Sequence, residues 1–196
     1  LAAFGGWLWW KAEREKAAGI AGEQLVAAFT ALSEARPAEA DAKLKPLAEG
    51  DHAGYRALAQ LTLAARKLES GDAKAASAAY MEVASDTSVA QPLRDVALIR
   101  ATAASYDTLA PRTVIDRLAP LAVPGSAWYG TAGEMTAIAW MKLNQPQKAA
   151  AIFGQLAKDN QVPASLRARA VRISGALDAG PPVAPAAAIP QKDKSE

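Results

Sequence analysis

The side chains of this chain that could do acid–base chemistry are widely separated. His52 is the single histidine, and it follows Asp51 just before a predicted helix, so we expect a capping or solvated role rather than catalysis. The other carboxylates lie beside Lys or Arg along amphipathic segments, as is typical of solvated helix faces. No phosphate-loop, metalloprotease or serine-hydrolase motif is present. The sequence therefore predicts no enzymatic activity, no cofactor, no metal and no small-molecule substrate.

Charge and cysteine content exclude further functions. The chain has 22 Lys and Arg against 20 Asp and Glu, with the two signs interspersed, whereas a nucleic-acid-binding protein carries a basic stripe. The densest basic cluster is Arg167, Arg169 and Arg172, which we interpret as the polar outer face of a terminal helix. The chain has no cysteine, so it has no disulfide, thiolate metal site or cysteine nucleophile. The remaining candidates are surfaces that bind other molecules.

The first residues predict contact with a membrane. Residues 1–10 carry no charge and contain three tryptophans within four positions, and the charged residues 11–16 follow at once. Indole rings beside basic side chains are typical of the end of a transmembrane helix. We therefore expect residues 1–11 to be the end of an N-terminal membrane helix that begins before Leu1; the alternative is an apolar helix packed on its own domain. The predicted membrane-interface residues are Trp7, Trp9, Trp10 and Lys11.

The two remaining segments differ in composition. Residues 179–196 contain four prolines followed by alternating charges, which predicts a disordered tail or, alternatively, a Pro-rich ligand for a partner. Residues 12–178 contain most of the 50 alanines of the chain, and aromatic residues are only 6% of the total. Alanine favours helices and lets their backbones approach closely. We predict an all-α domain over residues 12–178.

This domain contains an internal repeat. Residues 55–97 match residues 128–170 at ten identical positions of 43 without a gap, and Gly71 aligns with Asn144, both of which suit a left-handed helix end. A shorter unit recurs about every 36 residues, with a small residue, a second small residue twelve positions later and a larger one after four more. Its copies are Ala28, Ala40 and Leu44; Ala64, Ala76 and Tyr80; Thr102, Val114 and Leu118; and Ala137, Ala149 and Phe153.

This signature resembles the tetratricopeptide repeat, a helix–turn–helix unit of about 34 residues. The resemblance implies a right-handed superhelical array of about four divergent helix hairpins with a C-terminal capping helix. We predict helix pairs at 12–34 with 37–49, 52–70 with 72–85, 91–107 with 111–121 and 126–143 with 146–158, and a final helix at 163–178.

In tetratricopeptide arrays the first helix of each pair lines a concave groove. The equivalent positions in this chain are mostly apolar, with Thr131 and Glu134 as the polar part, and they predict a polypeptide-binding groove. The alternative is that the same side chains form the core. The candidate groove residues are Leu25, Phe29, Leu58, Leu61, Ile99, Tyr106, Ile138 and Met141.

The arrangement as a whole resembles the YfgM-type family of tetratricopeptide-like proteins of the bacterial inner membrane. The features that carry this resemblance are a membrane helix ending in GWLWW, an immediate charged stretch, four divergent repeats and a Pro/Ala tail. The resemblance implies a single-pass protein with its soluble domain in the periplasm. It also implies association with the SecYEG translocon and a PpiD-like chaperone, and a role in helping newly translocated polypeptides.

Two other functions stay open. The chain could be a scaffold or accessory subunit of a membrane complex that binds no client polypeptides. It could also be an enzyme or an enzyme subunit, although no candidate catalytic residues support that alternative.

Overall fold

A computed structural model describes residues 2–178, and every regular element in that range is an α-helix. The predicted all-α fold is confirmed. The predicted tail at 179–196 lies outside the described residues. The helices are α1 (Ala2–Ser33), α2 (Pro37–Ala48), α3 (Ala53–Glu69), α4 (Ala73–Ser85), α5 (Gln91–Ala104), α6 (Pro111–Leu118), α7 (Tyr129–Lys142), α8 (Pro146–Lys158) and α9 (Ala164–Asp178).

The helices belong to two compact units, the first ending at Leu118 and the second beginning at Ala119. In the first unit each helix from α1 to α6 packs against the next one along the chain, and α3 also contacts both α1 and α5. In the second unit α7 packs against α8 and α8 against α9. Short connections make such neighbours hairpins. The hairpin architecture therefore agrees with the repeat interpretation, and the right-handed superhelical arrangement of the array stays a prediction.

The residues of the repeat signature form the cores of the hairpins. All twelve are at most 1% exposed, so their side chains are buried within the protein. In the first unit Ala64, Ala76 and Tyr80 lie in one apolar cluster, and in the second unit Ala149 and Phe153 lie in another. Small side chains at these positions let the paired helices approach, and the larger residue fills the space beside them.

Three hairpin corners have the same geometry. Gly71 and Asn144 follow the ends of α3 and α7 with φ values of +88° and +55°, as the sequence predicted. Their successors close a Schellman motif, in which the Asp72 amide donates to the carbonyl of Lys67 and the Gln145 amide to that of Trp140, both over 3.0 Å. The α1–α2 corner repeats this pattern at Ala35, whose φ is +57° although it carries a Cβ atom.

The third hairpin departs from the others, as the degeneracy of its signature suggested. We predicted helices up to residues 107 and 121, but α5 ends at Ala104 and α6 at Leu118. The residues between them form hydrogen-bonded turns around Ser105, whose carbonyl accepts from the amides of Thr108 and Leu109. No left-handed residue closes this corner in the described chain.

The two hairpins that match in sequence, α3–α4 and α7–α8, are each followed by a turn in which an aspartate side chain accepts a hydrogen bond from a backbone amide. The Asp86 carboxylate accepts from the Ser88 amide over 2.9 Å, and the Asp159 carboxylate accepts from the Gln161 amide over 2.8 Å. At the first turn the Ser88 hydroxyl, its amide and the Arg56 guanidinium all donate to Asp86, and these bonds lower the pKa of its carboxyl group. The aligned aspartates therefore have a structural role.

Candidate functional site

The titratable side chains of the described residues do not form a metal-binding cluster. No group of three or more His, Asp and Glu side chains in the described range could hold a metal ion. His52 occupies the N-cap position of α3, but its side chain makes no capping hydrogen bond. Its ring instead lies edge-on to that of Tyr55, with 6.2 Å between the ring centres. The candidate sites are therefore surfaces.

Two of the predicted groove residues lie in the core. Leu25 on α1 is 6% exposed and packs in a cluster with Leu44 and Leu47, and Ile99 on α5 is 8% exposed. Their positions correct the expectation that they line a groove. The helical period identifies an apolar stripe, but both a groove and a core require one, and here the stripe includes the face that packs on the neighbouring helices.

Four further groove candidates are half-buried. Leu58 packs against the cluster that contains Leu25, Leu61 lies between two clusters of the first unit, and Ile138 packs against the core of the second unit. Tyr106 follows α5, where burial, with a smaller contribution from Asp107, raises its pKa to about 12. These side chains share their surface between core and solvent, so each offers a ligand only part of its area.

Phe29 and Met141 are the groove candidates that present most of their apolar surface to solvent. Phe29 on α1 is 43% exposed, and Met141 at the end of α7 is 41% exposed. They belong to different units, so each marks a local surface of its own unit. The predicted set of eight therefore contains two buried residues, four half-buried ones and two exposed ones.

The polar part of the predicted groove is occupied within the second unit. Glu134 on α7 accepts two hydrogen bonds from the guanidinium of Arg169 on α9. The bonds and the charge of Glu134 raise the pKa of Arg169. Arg169 was predicted to lie on the outer face of the terminal helix, but its side chain reaches across to α7. Glu134 is therefore part of an internal contact.

The N-terminal part of α1 is a helix without a packed face. Every described side chain from Phe4 to Ala17 is exposed, and the first buried residue of the helix is Leu25. Trp7, Trp9 and Trp10 are 51%, 70% and 50% exposed, although Trp is usually largely buried. In the described part of the chain, no helix combines the length and low polarity that a membrane crossing requires.

Two of these tryptophans continue the packing stripe of α1. Residues three or four positions apart share one side of a helix. Leu25, Ala28 and the half-buried Ala21 form such a series where α1 packs on its own unit, and the same series extends through Arg14 to Trp10 and Trp7. This stripe, interrupted by Arg14, therefore continues beyond the part of the helix that the unit covers.

Cationic side chains lie over the exposed rings. Lys11 Nζ is 5.6 Å from the centre of the Trp7 ring, and the Arg14 guanidinium carbon is 4.5 Å from that of Trp10. Trp9 and Trp10 also border an open depression of about 580 Å³ whose other wall is the α2–α3 connection at Asp51 and His52. The predicted interface residues Trp7, Trp9, Trp10 and Lys11 thus form one exposed aromatic and basic segment, which we call the N-terminal aromatic segment (residues 4–14).

Sequence reasoning missed two exposed apolar residues of α1. Ile20 and Val26 are 50% and 65% exposed, more than any of the eight groove candidates. They lie off the stripe that continues from Leu25, so the helical period gave no reason to select them. Their exposure follows from the position of α1, whose main packing partners are α2 and α3.

No protein-family model, no curated protein and no solved structure matches this chain. The YfgM-type resemblance therefore rests on the arrangement of the tryptophans, charges and repeats, and it stays a prediction.

Proposed function

We propose that this chain is a non-enzymatic helical-repeat protein that attaches to a membrane through the N-terminal aromatic segment and binds polypeptides or partner proteins with its hairpins. The observation that carries the proposal is the exposure of Trp7, Trp9 and Trp10 on a helix end that its own unit does not cover. Such rings favour the boundary between water and hydrocarbon, where the apolar body is buried and the indole N–H meets polar headgroups.

The neighbouring charges support membrane attachment. Lys11 and Arg14 lie against the rings, so a lipid surface would receive the aromatic faces and the cations together. Basic side chains near an anionic surface contribute about 1 kcal/mol each to binding. As a helix, the segment is about 15 Å long, which is enough to reach through a headgroup layer. By the family resemblance, we place the membrane at the bacterial inner membrane and the two units in the periplasm.

The partners proposed by the same resemblance are the SecYEG translocon and a PpiD-like chaperone, and the clients are polypeptides leaving the translocon. The exposed Phe29 and the half-buried Leu58 and Leu61 support an apolar contact surface on the first helices of the hairpins. In the tetratricopeptide interpretation these helices line the inner side of a right-handed superhelix.

The scaffold alternative has one observation in its favour. Leu25 and Ile99 lie in the core, which leaves a smaller apolar surface than the sequence predicted for unfolded clients. A scaffold needs one complementary partner rather than a broad apolar groove. Crosslinking the protein in cells separates the two functions, since a scaffold yields one stoichiometric neighbour and a chaperone yields many client polypeptides.

The attachment is tested by flotation with vesicles of phosphatidylethanolamine and phosphatidylglycerol. We expect the chain to float with the vesicles, and the variant with Trp7, Trp9 and Trp10 each changed to Ser to stay in the aqueous fraction. A matched control changes three other exposed apolar residues to Ser, namely Val26, Phe29 and Val171. If the control loses flotation as the Trp variant does, or if neither loses it, the segment is not the attachment.

A further inference from the structure

The first unit contains an open apolar cleft that the sequence did not predict. Its volume is about 520 Å³, within the range of small-molecule sites. It is bordered by α4, the end of α5, the α5–α6 connection and α6, and its lining includes none of the eight groove candidates. Its apolar lining includes Ala78, Met81, Ala104 and Leu109, and the cationic side chains that border it are Lys74 and Arg117.

The polar side chains of the cleft already have partners within the protein. Ser77 and Ser105 each place the hydroxyl within hydrogen-bonding distance of the Ala101 carbonyl, at 2.8 and 3.0 Å, and their oxygens are 3.0 Å apart. The Thr108 hydroxyl donates to the Ser105 carbonyl over 3.0 Å. A ligand in the cleft therefore finds few free hydrogen-bonding groups on its wall.

Lys74 and Arg117, unlike the hydroxyl groups of the cleft, have no charged partner: neither forms an ion pair among the described residues. Asp72, the carboxylate nearest Lys74 in sequence, accepts from the Ala75 amide at the start of α4. On α6, Asp116 pairs with Arg112 over 3.1 Å and leaves Arg117 without an acidic partner. Two unpaired positive charges beside an apolar cleft are complementary to a ligand with a negative head and an apolar body.

We propose that this cleft binds a fatty acid, with the carboxylate at Lys74 and Arg117 and the unbranched acyl chain along Met81 and Leu109. An extended peptide has the same terminal carboxylate, but each of its residues also brings a backbone N–H and a C=O that need partners. Burying those groups without hydrogen bonds is unfavourable, and the hydroxyls of the wall are already engaged. An acyl chain has no such groups and gains from burial in proportion to its apolar area.

The test uses the full chain and NMR of ¹³C-methyl methionine, since the chain has three methionines. Sodium decanoate, below the concentration at which it forms micelles, should shift the Met81 signal in a saturable way. The signal of Met141, which lies in the other unit, should stay in place and so reports any general effect of the detergent-like ligand. The same titration is run with 1-decanol and with a pentapeptide of four alanines ending in leucine.

Substitutions of the two cationic residues test whether they bind the carboxylate of the ligand. Lys74→Gln and Arg117→Gln together should weaken decanoate binding at least about tenfold, as expected for the loss of charge-assisted contacts. Arg172→Gln, at an exposed arginine of α9 in the other unit, is the matched control and should bind as the parent does. Lys74→Gln alone changes an exposed residue, so it tests the head group even if the double variant fails to fold.

Three results would overturn the proposal. In the first, the Met81 signal does not move with decanoate. In the second, decanol or the peptide binds as tightly as decanoate. In the third, the folded Lys74→Gln variant keeps the full affinity.

Discussion

The guanidinium of Arg169 on α9 donates two hydrogen bonds to the carboxylate of Glu134 on α7, from Nε to Oε1 over 2.6 Å and from Nη2 to Oε2 over 2.7 Å. The two residues are 35 positions apart in sequence, so the bond ties the last described helix to the first helix of the second unit. It also pairs Glu134 with a cation of its own unit, so the carboxylate already has a partner within the protein.

Arg169→Gln should lower the melting temperature of the chain, because it removes a bidentate contact and leaves the half-buried Glu134 without a cation. The loss should shrink as salt is added, since exposed ion pairs are screened. Arg172→Gln is the control on the same helix, and among the described residues Arg172 has no ion pair. Thermal unfolding at low and high salt checks both, and equal melting temperatures for parent and Arg169→Gln would contradict the role of the pair.

The close approach of α8 to its neighbours can be tested with two alanines on the same helix. Ala149 has no exposed surface, whereas Ala151 is exposed. Ala149→Leu should reduce the free energy of unfolding by about 1–3 kcal/mol, because the added atoms have no space. Ala151→Leu should leave it within about 0.5 kcal/mol. Denaturant unfolding measures both, and a similar effect for the two variants would remove Ala149 from the contact.

The hairpin corners predict opposite effects for two reciprocal substitutions. Ala35→Gly should stabilise the chain by about 0.5–1 kcal/mol, because glycine relieves the left-handed strain of the Cβ atom by more than it adds to the entropy of the unfolded chain. Gly71→Ala should cost about 1 kcal/mol for the same reason. Denaturant unfolding of the two variants gives the comparison. Destabilisation by Ala35→Gly would show that Ala35 is not strained.

The binding surface can be separated from the core by polar substitutions of similar size. Ile99→Gln should cost about 1–3 kcal/mol of stability, because it places an amide in the core without a partner. Phe29→Gln and Met141→Gln should change stability by less than about 0.5 kcal/mol, and together they should weaken capture of an unfolded polypeptide. Melting curves and a client-capture assay are measured on each variant. Undiminished capture by the folded Phe29 and Met141 double variant would favour the scaffold function.

The repeat signature predicted the fold well because its physical requirement is local. A small residue at Ala76 or Ala149 is needed wherever two helices touch, and Gly71 and Asn144 suit a left-handed corner whatever surrounds them. The sequence could not assign Leu25 and Ile99 to core, because the rotation of a helix depends on how its neighbours pack.

Other parts of the site depend on residues distant in sequence. The partner of Glu134 lies two helices later, and nothing in the sequence around either residue indicates the pairing. The cleft beside Met81 depends on how α6 follows an irregular connection, which the degenerate third repeat left open. By contrast, the exposure of Trp7 and Trp10 is compatible with the charged residues that follow them in the sequence, because charged side chains are mostly exposed to water.

The most direct test of the proposed membrane attachment is the fluorescence of the N-terminal tryptophans. In a variant with Trp128→Phe and Trp140→Phe, all emission comes from Trp7, Trp9 and Trp10. With vesicles present, we expect this emission to shift to shorter wavelength, to be quenched by lipids brominated near the headgroup, and to be protected from acrylamide in the water. Emission that stays at its aqueous wavelength and remains fully quenched by acrylamide would contradict membrane attachment by this segment.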